Sequence, residues 1–271
     1  MEYISRGLAS EIRRKYEILK EKEDDEFYFQ CEKNAKKRII EDAQYESYQI
    51  ENPNSYEENP SISKDTRKKI TRNGIKNINN AMLWGIEKFN PKNFDEFFIK
   101  KIAGVLLPEM YKDPIATYRT VSARLGGKNQ TRIMPSYEKV IKYEMPNFVF
   151  LLNEKLDKIE NKKPIDPVDV IVASTFAHFD IARIHPFVDG NGRTARALQS
   201  IILHYYKIPV PIIKSGERYD YYNHLENAVC GYNNNKAEGK IGLSEEEQEF
   251  YEFIAGKINV SLDTILEKCC N

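Results

Sequence analysis

Two apolar helical segments joined by a glycine-bracketed turn are the feature of this 271-residue sequence that most restricts its fold. Asp166 followed by Pro167 is typical of a helix start, because aspartate caps the first turn and proline fits its first position. Apolar residues then recur at helical spacing until His185. A second apolar helix follows the turn at 190–192 and is expected to end before Pro209, because proline cannot continue a helix. The pattern predicts two buried helices, with polar side chains concentrated in the loop between them.

Helical patterns also dominate the flanking residues. The charge-dense stretch 10–50 predicts one or two helices with a narrow apolar stripe, and the polar stretch 51–60, with two prolines, predicts a loop. Helical spacing of apolar residues returns over 64–110. Residues 118–125 and 131–134 alternate apolar and polar side chains around a Gly-Gly turn, which predicts a small β-hairpin. The fold class predicted from these patterns is mainly α.

Composition limits the location and the partners of the chain. Basic and acidic residues are equal in number, 41 each, so no global positive field attracts nucleic acid or an anionic membrane. No apolar run is long enough for a membrane span or a secretory signal. The four cysteines lack paired C-x-x-C spacing, which is typical of reduced thiols. We expect a globular cytoplasmic protein that binds neither nucleic acid nor membranes.

The turn itself has the character of an anion site. Gly190, Asn191 and Gly192 lie at the start of the second predicted helix, where free backbone amides and the helix dipole attract negative charge. Arg193 and Arg196 are three residues apart on that helix, so both guanidinium groups can reach the same anion. This arrangement suits a polyphosphate better than a single phosphate.

Two titratable residues flank the anion site. Asp189 would repel bound phosphates unless a divalent cation lay between them, so Mg²⁺ is implied. His185 has an imidazole with a pKa near neutrality, which suits a base that takes a proton from an attacking hydroxyl. His178 is expected to be a packed histidine, because no third nitrogen or sulfur ligand lies at useful spacing. These groups predict phosphoryl or nucleotidyl transfer.

Residues 185–196, HPFVDGNGRTAR, resemble the signature H-x-F-x-[DE]-G-N-G-R-x-x-R of the Fic (filamentation induced by cAMP) family at every specified position. The resemblance implies a helical Fic-type bundle with a β-hairpin flap. It also implies transfer of AMP from ATP to a Ser, Thr or Tyr hydroxyl of a protein. The implied roles are His185 as general base, Asp189 as Mg²⁺ ligand, Asn191 and Gly192 in the anion hole, Arg193 and Arg196 as phosphate clamps, and Phe187 as loop anchor.

Further positions follow from the same resemblance. Fic relatives that transfer phosphate carry lysine in place of the second glycine of G-N-G, and Gly192 argues against that reaction. The stretch around Tyr221 and Tyr222 is similar to the family's Y-Y-x-x-L region beside the adenine, so both tyrosines are candidate nucleotide contacts. The predicted hairpin resembles the family's flap, which would align a substrate backbone. It would bring Thr131, Arg132 and Ile133 to the nucleotide.

An inhibitory element is expected within the chain. Residues 47–52, SYQIEN, resemble the family's inhibitory motif [ST]-x-x-x-E-[GN], with Ser47 and Glu51 at its fixed positions. Glu51 could pair with Arg196 and take the place that the γ-phosphate needs. The chain would then belong to the class that carries its inhibitory helix N-terminal to the core.

The predicted organisation is an N-terminal helical region with the inhibitory motif (1–60), a Fic catalytic core (61–240) and a C-terminal helical extension (241–271). The charged stretch 11–37 leaves a coiled coil or a partner-docking arm open. The expected partner is a target protein with an acceptor hydroxyl, with self-modification and a homo-oligomer also possible. Three other functions stay open: removal of AMP with Glu51 positioning a water, transfer of phosphocholine or UMP, and a regulatory nucleotide-binding protein that is not an enzyme.

Overall fold

Helices form nearly all regular structure in the part of the chain that the computed structural model describes, residues 2–22, 26–52, 64–111, 113–122, 124–125 and 132–270. The mainly α prediction is confirmed. The helices are α1 (Arg6–Glu21), α2 (Glu26–Glu51), α3 (Lys64–Lys88), α4 (Glu96–Leu106), α5 (Tyr137–Lys139), α6 (Met145–Glu160), α7 (Pro167–Ile184), α8 (Asn191–Tyr205), α9 (Arg218–Ala237) and α10 (Glu245–Cys270). A turn of π-helix, Val140–Glu144, joins α5 to α6.

The antiparallel pair α7 and α8 forms the centre of the fold. Helix α7 begins as its sequence predicts, because the Asp166 side chain accepts a hydrogen bond from the Val168 amide at 3.0 Å. Nearly every residue of α7 is buried, and α8 packs along it with Leu198 and Ile201 fully buried. The prediction of two buried helices joined by a polar loop is confirmed.

The other helices surround this pair. Helices α3 and α4 pack against α8, α6 packs against α7, and α10 lies against α9, α2 and α1. Ile12 and Leu19 of α1 and Ile39 and Ile50 of α2 belong to the same apolar core as the central pair. The apolar stripe of the N-terminal region therefore faces the rest of the chain rather than a coiled-coil partner. The predicted division at residues 60 and 240 stays a prediction.

The predicted hairpin is only partly described. Strands β1 (Arg124–Leu125) and β2 (Arg132–Ile133) pair antiparallel, with Arg124 opposite Ile133. The prediction of a strand over 118–125 is wrong for 118–122, where the chain forms no strand and bends at 120–121. Its Arg119 amide donates instead to the carbonyl of Pro186 at 2.8 Å. The predicted turn lies outside the described residues, and the flap stays a prediction.

No helix in the described ranges combines the length and the apolar character required to cross a membrane.

Candidate functional site

The loop between α7 and α8 is shaped by two residues with positive φ. His185 ends α7 in the left-handed conformation, with φ 53° and ψ 58°, and its amide donates to the Ile181 carbonyl at 3.0 Å. Gly190 has φ 76° and ψ 11° directly before α8. A left-handed conformation is readily adopted by glycine but costs a residue such as histidine about 1 kcal/mol. The strained residue is therefore the one that the sequence indicates as the base.

Asn191 fixes the loop from inside. Its Oδ1 accepts from the Phe187 amide and its Nδ2 donates to the Phe187 carbonyl, both at 2.9 Å. Both residues are buried, and the Phe187 ring lies 5.7 Å from the ring of Tyr118. Because the Asn191 side chain is occupied in this way, its contribution to an anion hole is its backbone amide. Phe187 anchors the loop, as the resemblance implies.

The start of α8 is the predicted anion site, and we call it the cradle: it consists of the backbone amides of residues 190–193 and the side chains of Arg193 and Arg196. The first bond of its ladder joins the Thr194 amide to the Gly190 carbonyl at 2.9 Å. The amides before Thr194 therefore have no acceptor within the helix, as at every helix N-terminus. Arg193 lies beside them with its Nε buried and without a hydrogen-bond partner among the described residues. A buried donor of this kind fits a ligand that supplies oxygen atoms.

Glu51 occupies this cradle from α2. Its Oε1 accepts from Arg196 Nη2 at 2.8 Å, so the ion pair expected from the inhibitory motif is present. A Cβ built on Gly192 would collide with the same Oε1, so the carboxylate rests directly against the first turn of α8. The carboxylate stands where a phosphate bound by α8 and Arg196 would place its oxygens.

Ser47 completes the hold of α2 on Arg196. Arg196 Nε donates to Ser47 Oγ at 2.8 Å, and Nη2 donates to the Ser47 carbonyl at 3.1 Å. Burial by itself would lower the pKa of Arg196, but the Glu51 carboxylate keeps it above its ordinary value. The two residues at the fixed positions of the predicted inhibitory motif thus bind Arg196, one of the two arginines that the resemblance predicts to clamp phosphate.

Asp189 forms the solvent-facing rim of the cradle, beside Arg193, whose side chain is largely buried. Asp189 Oδ1 accepts from the Gly190 amide at 2.6 Å, and its Oδ2 lies 3.3 Å from Arg193 Nη2. The Asp189 side chain is 61% exposed. Within the described ranges, no three His, Cys, Asp or Glu residues cluster as a metal site. Mg²⁺ that arrives with a nucleotide needs only one or two carboxylates, because phosphate and water oxygens complete its shell, and Asp189 fits that requirement.

The two candidate adenine contacts lie at different depths. Tyr221 is fully buried, and its hydroxyl lies 2.8 Å from His178 Nε2 and 3.4 Å from Arg196 Nη1. It therefore supports the clamp arginine from behind. Tyr222 is half-buried, and burial together with the Glu51 charge raises its pKa. Nucleotide contact stays a prediction for both, and Tyr222 is the better placed.

His178 is the packed histidine that the sequence predicts. It is fully buried, and its Nδ1 lies 2.8 Å from Gln199 Oε1. Burial lowers the pKa of His178 to about 3, so the ring is neutral at pH 7. Gln199 in turn donates from Nε2 to Thr175 Oγ1 at 3.3 Å, so its Oε1 is the acceptor for His178. His178 Nε2 must then accept from Tyr221, which leaves a lone pair of the Tyr221 oxygen for Arg196.

The flap contacts are the least described part of the predicted site. Thr131 lies outside the described residues, and only the backbone of Arg132 and Ile133 is described, in β2. Their approach to a nucleotide stays a prediction.

Arg119 is a residue near the site that sequence reasoning missed. It lies in the stretch expected to be a strand, yet it is fully buried and donates to the His185 carbonyl at 2.8 Å. An arginine in an alternating segment reads as an exposed strand residue, so the sequence held no signal for this contact.

Comparison with solved structures identifies the fold class of this protein. A Fic domain containing signaling protein from Bacteroides thetaiotaomicron VPI-5482 matches with a TM-score of 0.75 at 20% identity, covering 96% of this chain and 97% of that one. Fic-1 from Caenorhabditis elegans matches with a TM-score of 0.60 at 19% identity, covering 97% and 71%. At these identities the likeness shows the fold alone, which is the all-helical Fic fold.

The match to a family model covers a shorter part of the chain than the structural matches do, and this part includes the motif at 185–196. Residues 93–203 match the Fic/DOC family, so this part of the chain is a Fic domain. "Protein adenylyltransferase Fic" from Nematostella vectensis is 39% identical over 82 residues, which is 30% of this chain and 18% of that protein. "Protein adenylyltransferase fic-1" from Caenorhabditis elegans is 30% identical over 119 residues, or 44% and 21%. The matched regions thus span about a fifth of these curated relatives.

Proposed function

We propose that this chain is a protein adenylyltransferase, which transfers AMP from ATP to a hydroxyl of a protein side chain. The observation that carries the proposal is the Glu51 carboxylate held between Gly192 and Arg196 at the start of α8. It identifies this point of the molecule as one that binds an anion. The names of the matched relatives support the same activity.

The proposed reaction follows from the groups around the loop. Amides of α8 together with Arg193 and Arg196 bind the phosphates and hold the α-phosphorus beside His185. His185 accepts the proton of the acceptor hydroxyl, and the hydroxyl oxygen forms a bond to the α-phosphorus. The bond from that phosphorus to the bridging oxygen breaks, and pyrophosphate leaves with the negative charge that Arg193 and the helix dipole neutralise.

Asp189 is the proposed residue for Mg²⁺. When bound, Mg²⁺ supplies further neutralisation of phosphate charge. The Asp189 carboxylate faces Arg193 across 3.3 Å, so the rim pairs opposite charges.

Glu51 is the proposed inhibitor of the reaction. Arg196 Nη2 cannot donate fully to Glu51 and to a γ-phosphate at the same place, so the two anions compete for one guanidinium group. A nucleotide bound without this contact would lack the alignment of its α-phosphorus with the acceptor oxygen. The inhibition is expected to be relieved when the carboxylate is removed.

The test measures protein labelling from α-labelled ATP in the presence of Mg²⁺. It compares wild type with Glu51→Gly, Glu41→Gly, His185→Ala and the double variant that combines Glu51→Gly with His185→Ala. We expect strong protein labelling only with Glu51→Gly, at least about tenfold above wild type, because one charge-assisted hydrogen bond is worth about 1.5–3 kcal/mol. Glu41 lies on the same helix without contacting Arg196, so Glu41→Gly should behave as wild type. Equal labelling by all variants contradicts the proposal.

The same variants separate the neighbouring possibilities. If wild type strips AMP from a modified protein and Glu51→Gly does not, the chain removes AMP and Glu51 positions the water. Label that appears on the chain itself in Glu51→Gly, without an added target, identifies self-modification. The target protein, a homo-oligomer and a cytoplasmic location remain parts of the proposal.

A further inference from the structure

Arg119 is the most deeply buried arginine side chain near the motif loop, with 1% of its surface exposed. Among the residues that the structure describes, its guanidinium group donates to backbone carbonyls only. Nε donates to His185 at 2.8 Å, Nη1 donates to Val121 at 2.9 Å, and Nη2 donates to Pro135 and, at 3.5 Å, to Ile184. Its backbone amide donates to Pro186 at 2.8 Å.

These acceptors explain how the charge can be buried. No carboxylate lies within ion-pair distance of Arg119 among the described residues, and burial lowers its pKa, although a guanidinium remains charged. The carbonyls of Ile184 and His185 are at the C-terminal end of α7, where the last carbonyls lack partners within the helix and the dipole is negative. Arg119 therefore caps α7 from a distant segment of the chain.

The same side chain connects two parts of the site. Two of its acceptors, His185 and Ile184, belong to the end of α7 where the base lies. The other two are at the base of the β1–β2 pair, with Val121 before β1 and Pro135 after β2. One rigid planar group thus fixes the left-handed backbone of His185 relative to both legs of the segment expected to align the acceptor peptide.

We infer that Arg119 is a positioning residue, which holds the His185 loop and the base of the β1–β2 segment in one fixed geometry. The inference rests on the proposed function, because it concerns the distance between the base and the acceptor hydroxyl. It predicts a specific kinetic effect. Arg119 does not contact the α8 cradle through any of these bonds, so its loss should slow transfer while ATP binding is retained.

The experiment compares Arg119→Lys and Arg119→Met, each in the Glu51→Gly background. Lysine retains the charge but cannot reach four carbonyls in one plane, and methionine reaches none. Lys15→Met is the matched control, because Lys15 is also a buried cation, and it lies on α1 and pairs with Asp263 of α10 at 2.6 Å. The readouts are the kcat of self-labelling, the Kd of Mg-ATP by titration, the melting temperature and hydrogen exchange.

The kinetic outcome decides the role. We expect kcat to fall about 100-fold in Arg119→Met and less in Arg119→Lys, since a small misplacement of reacting groups has effects of that order. The Kd of Mg-ATP should stay within about threefold of the parent, because the α8 cradle is intact. Lys15→Met should lower the melting temperature without lowering kcat. An unchanged kcat in both Arg119 variants, or equal losses of kcat and ATP affinity, overturns the inference.

If the parent Glu51→Gly transfers no AMP, that result refutes the proposed function but not the role of Arg119. Hydrogen exchange then still tests that role. In Arg119→Lys, amide exchange over 118–122 and 184–187 should be at least about tenfold faster than in the parent, with other helices unchanged. Unaltered exchange in either segment, or a uniform increase like that of Lys15→Met, refutes the role of Arg119.

Discussion

Arg196 is the residue on which the proposed activity and the proposed inhibition converge. In this structure its guanidinium donates to Ser47 and Glu51 on one side and to Tyr221 on the other. The Tyr221 contact is directed by the neutral His178, so it does not depend on which anion faces the arginine. The Tyr221 contact therefore holds Arg196 in place, and we propose that phosphate replaces Glu51 on the same guanidinium group.

A substitution at Ser47 should weaken inhibition without touching the reacting groups. Ser47→Ala removes the hydroxyl that accepts from Arg196 Nε at 2.8 Å but keeps the carbonyl contact. A loss of about 1 kcal/mol in the hold of α2 should raise basal labelling from α-labelled ATP about fivefold. Ser10→Ala, at an exposed position of α1, is the control and should not change the rate. Basal labelling that does not increase in folded Ser47→Ala argues against this contact as part of the inhibition.

At the scale of elements, the start of α7 is fixed by its N-cap residue, Asp166. Burial by itself would raise the pKa of Asp166, but hydrogen bonds from Arg13 and from the Val168 amide bring it below its ordinary value of 3.8. A carboxyl with a depressed folded pKa stabilises the fold above its unfolded pKa, and this contribution is lost as pH falls through the folded pKa.

Asp166→Ala should therefore lower the free energy of unfolding by about 1–2 kcal/mol at pH 7, the usual range for loss of an N-cap. The difference from wild type should shrink as pH falls below 3.8, because the wild-type carboxyl becomes protonated as well. Urea unfolding at pH 7 and at a pH below 3.8 measures this difference in the free energy of unfolding. Asp169→Ala, on the same turn but paired only with Lys162 at its surface, should cost less. Equal losses for the two variants, independent of pH, would refute this account of the cap.

Local signals explain which elements could be predicted. Asp166, Pro167 and Gly190 encode a cap, a first-turn proline and a left-handed turn, so the limits between α7 and α8 were predictable. Residues 118–122 were not, because alternation alone predicts a strand, whereas Arg119 finds its acceptors in distant backbone carbonyls that leave no trace in the sequence. The link from His178 to Tyr221 was equally hidden, since 43 residues separate the two.

At the scale of the whole molecule, helix α2, which carries the proposed inhibitory motif, is part of the core. Ile39 and Ile50 of α2 are almost fully buried in the cluster that includes α8 and α10. Undocking all of α2 would cost about 25 cal/mol of free energy for each Å² of apolar surface that it exposed to water. Release of only the last turn of α2, which carries Glu51, would expose less apolar surface. The contact between Glu51 and Arg196 joins residues 145 apart in sequence, and only the resemblance to the inhibitory motif predicted it.

The central claim is that the loop at 185–196 binds ATP by its phosphates and transfers the α-phosphorus with the nucleoside. The most direct measurement incubates Glu51→Gly with Mg²⁺ and either α-labelled or γ-labelled ATP, alone and with heat-inactivated cell extract, which supplies acceptor proteins but no active kinases. The account predicts protein-bound label from α-labelled ATP and none from γ-labelled ATP, with both absent in Glu51→Gly combined with His185→Ala. Protein labelled from γ-labelled ATP, or from neither nucleotide, would contradict it.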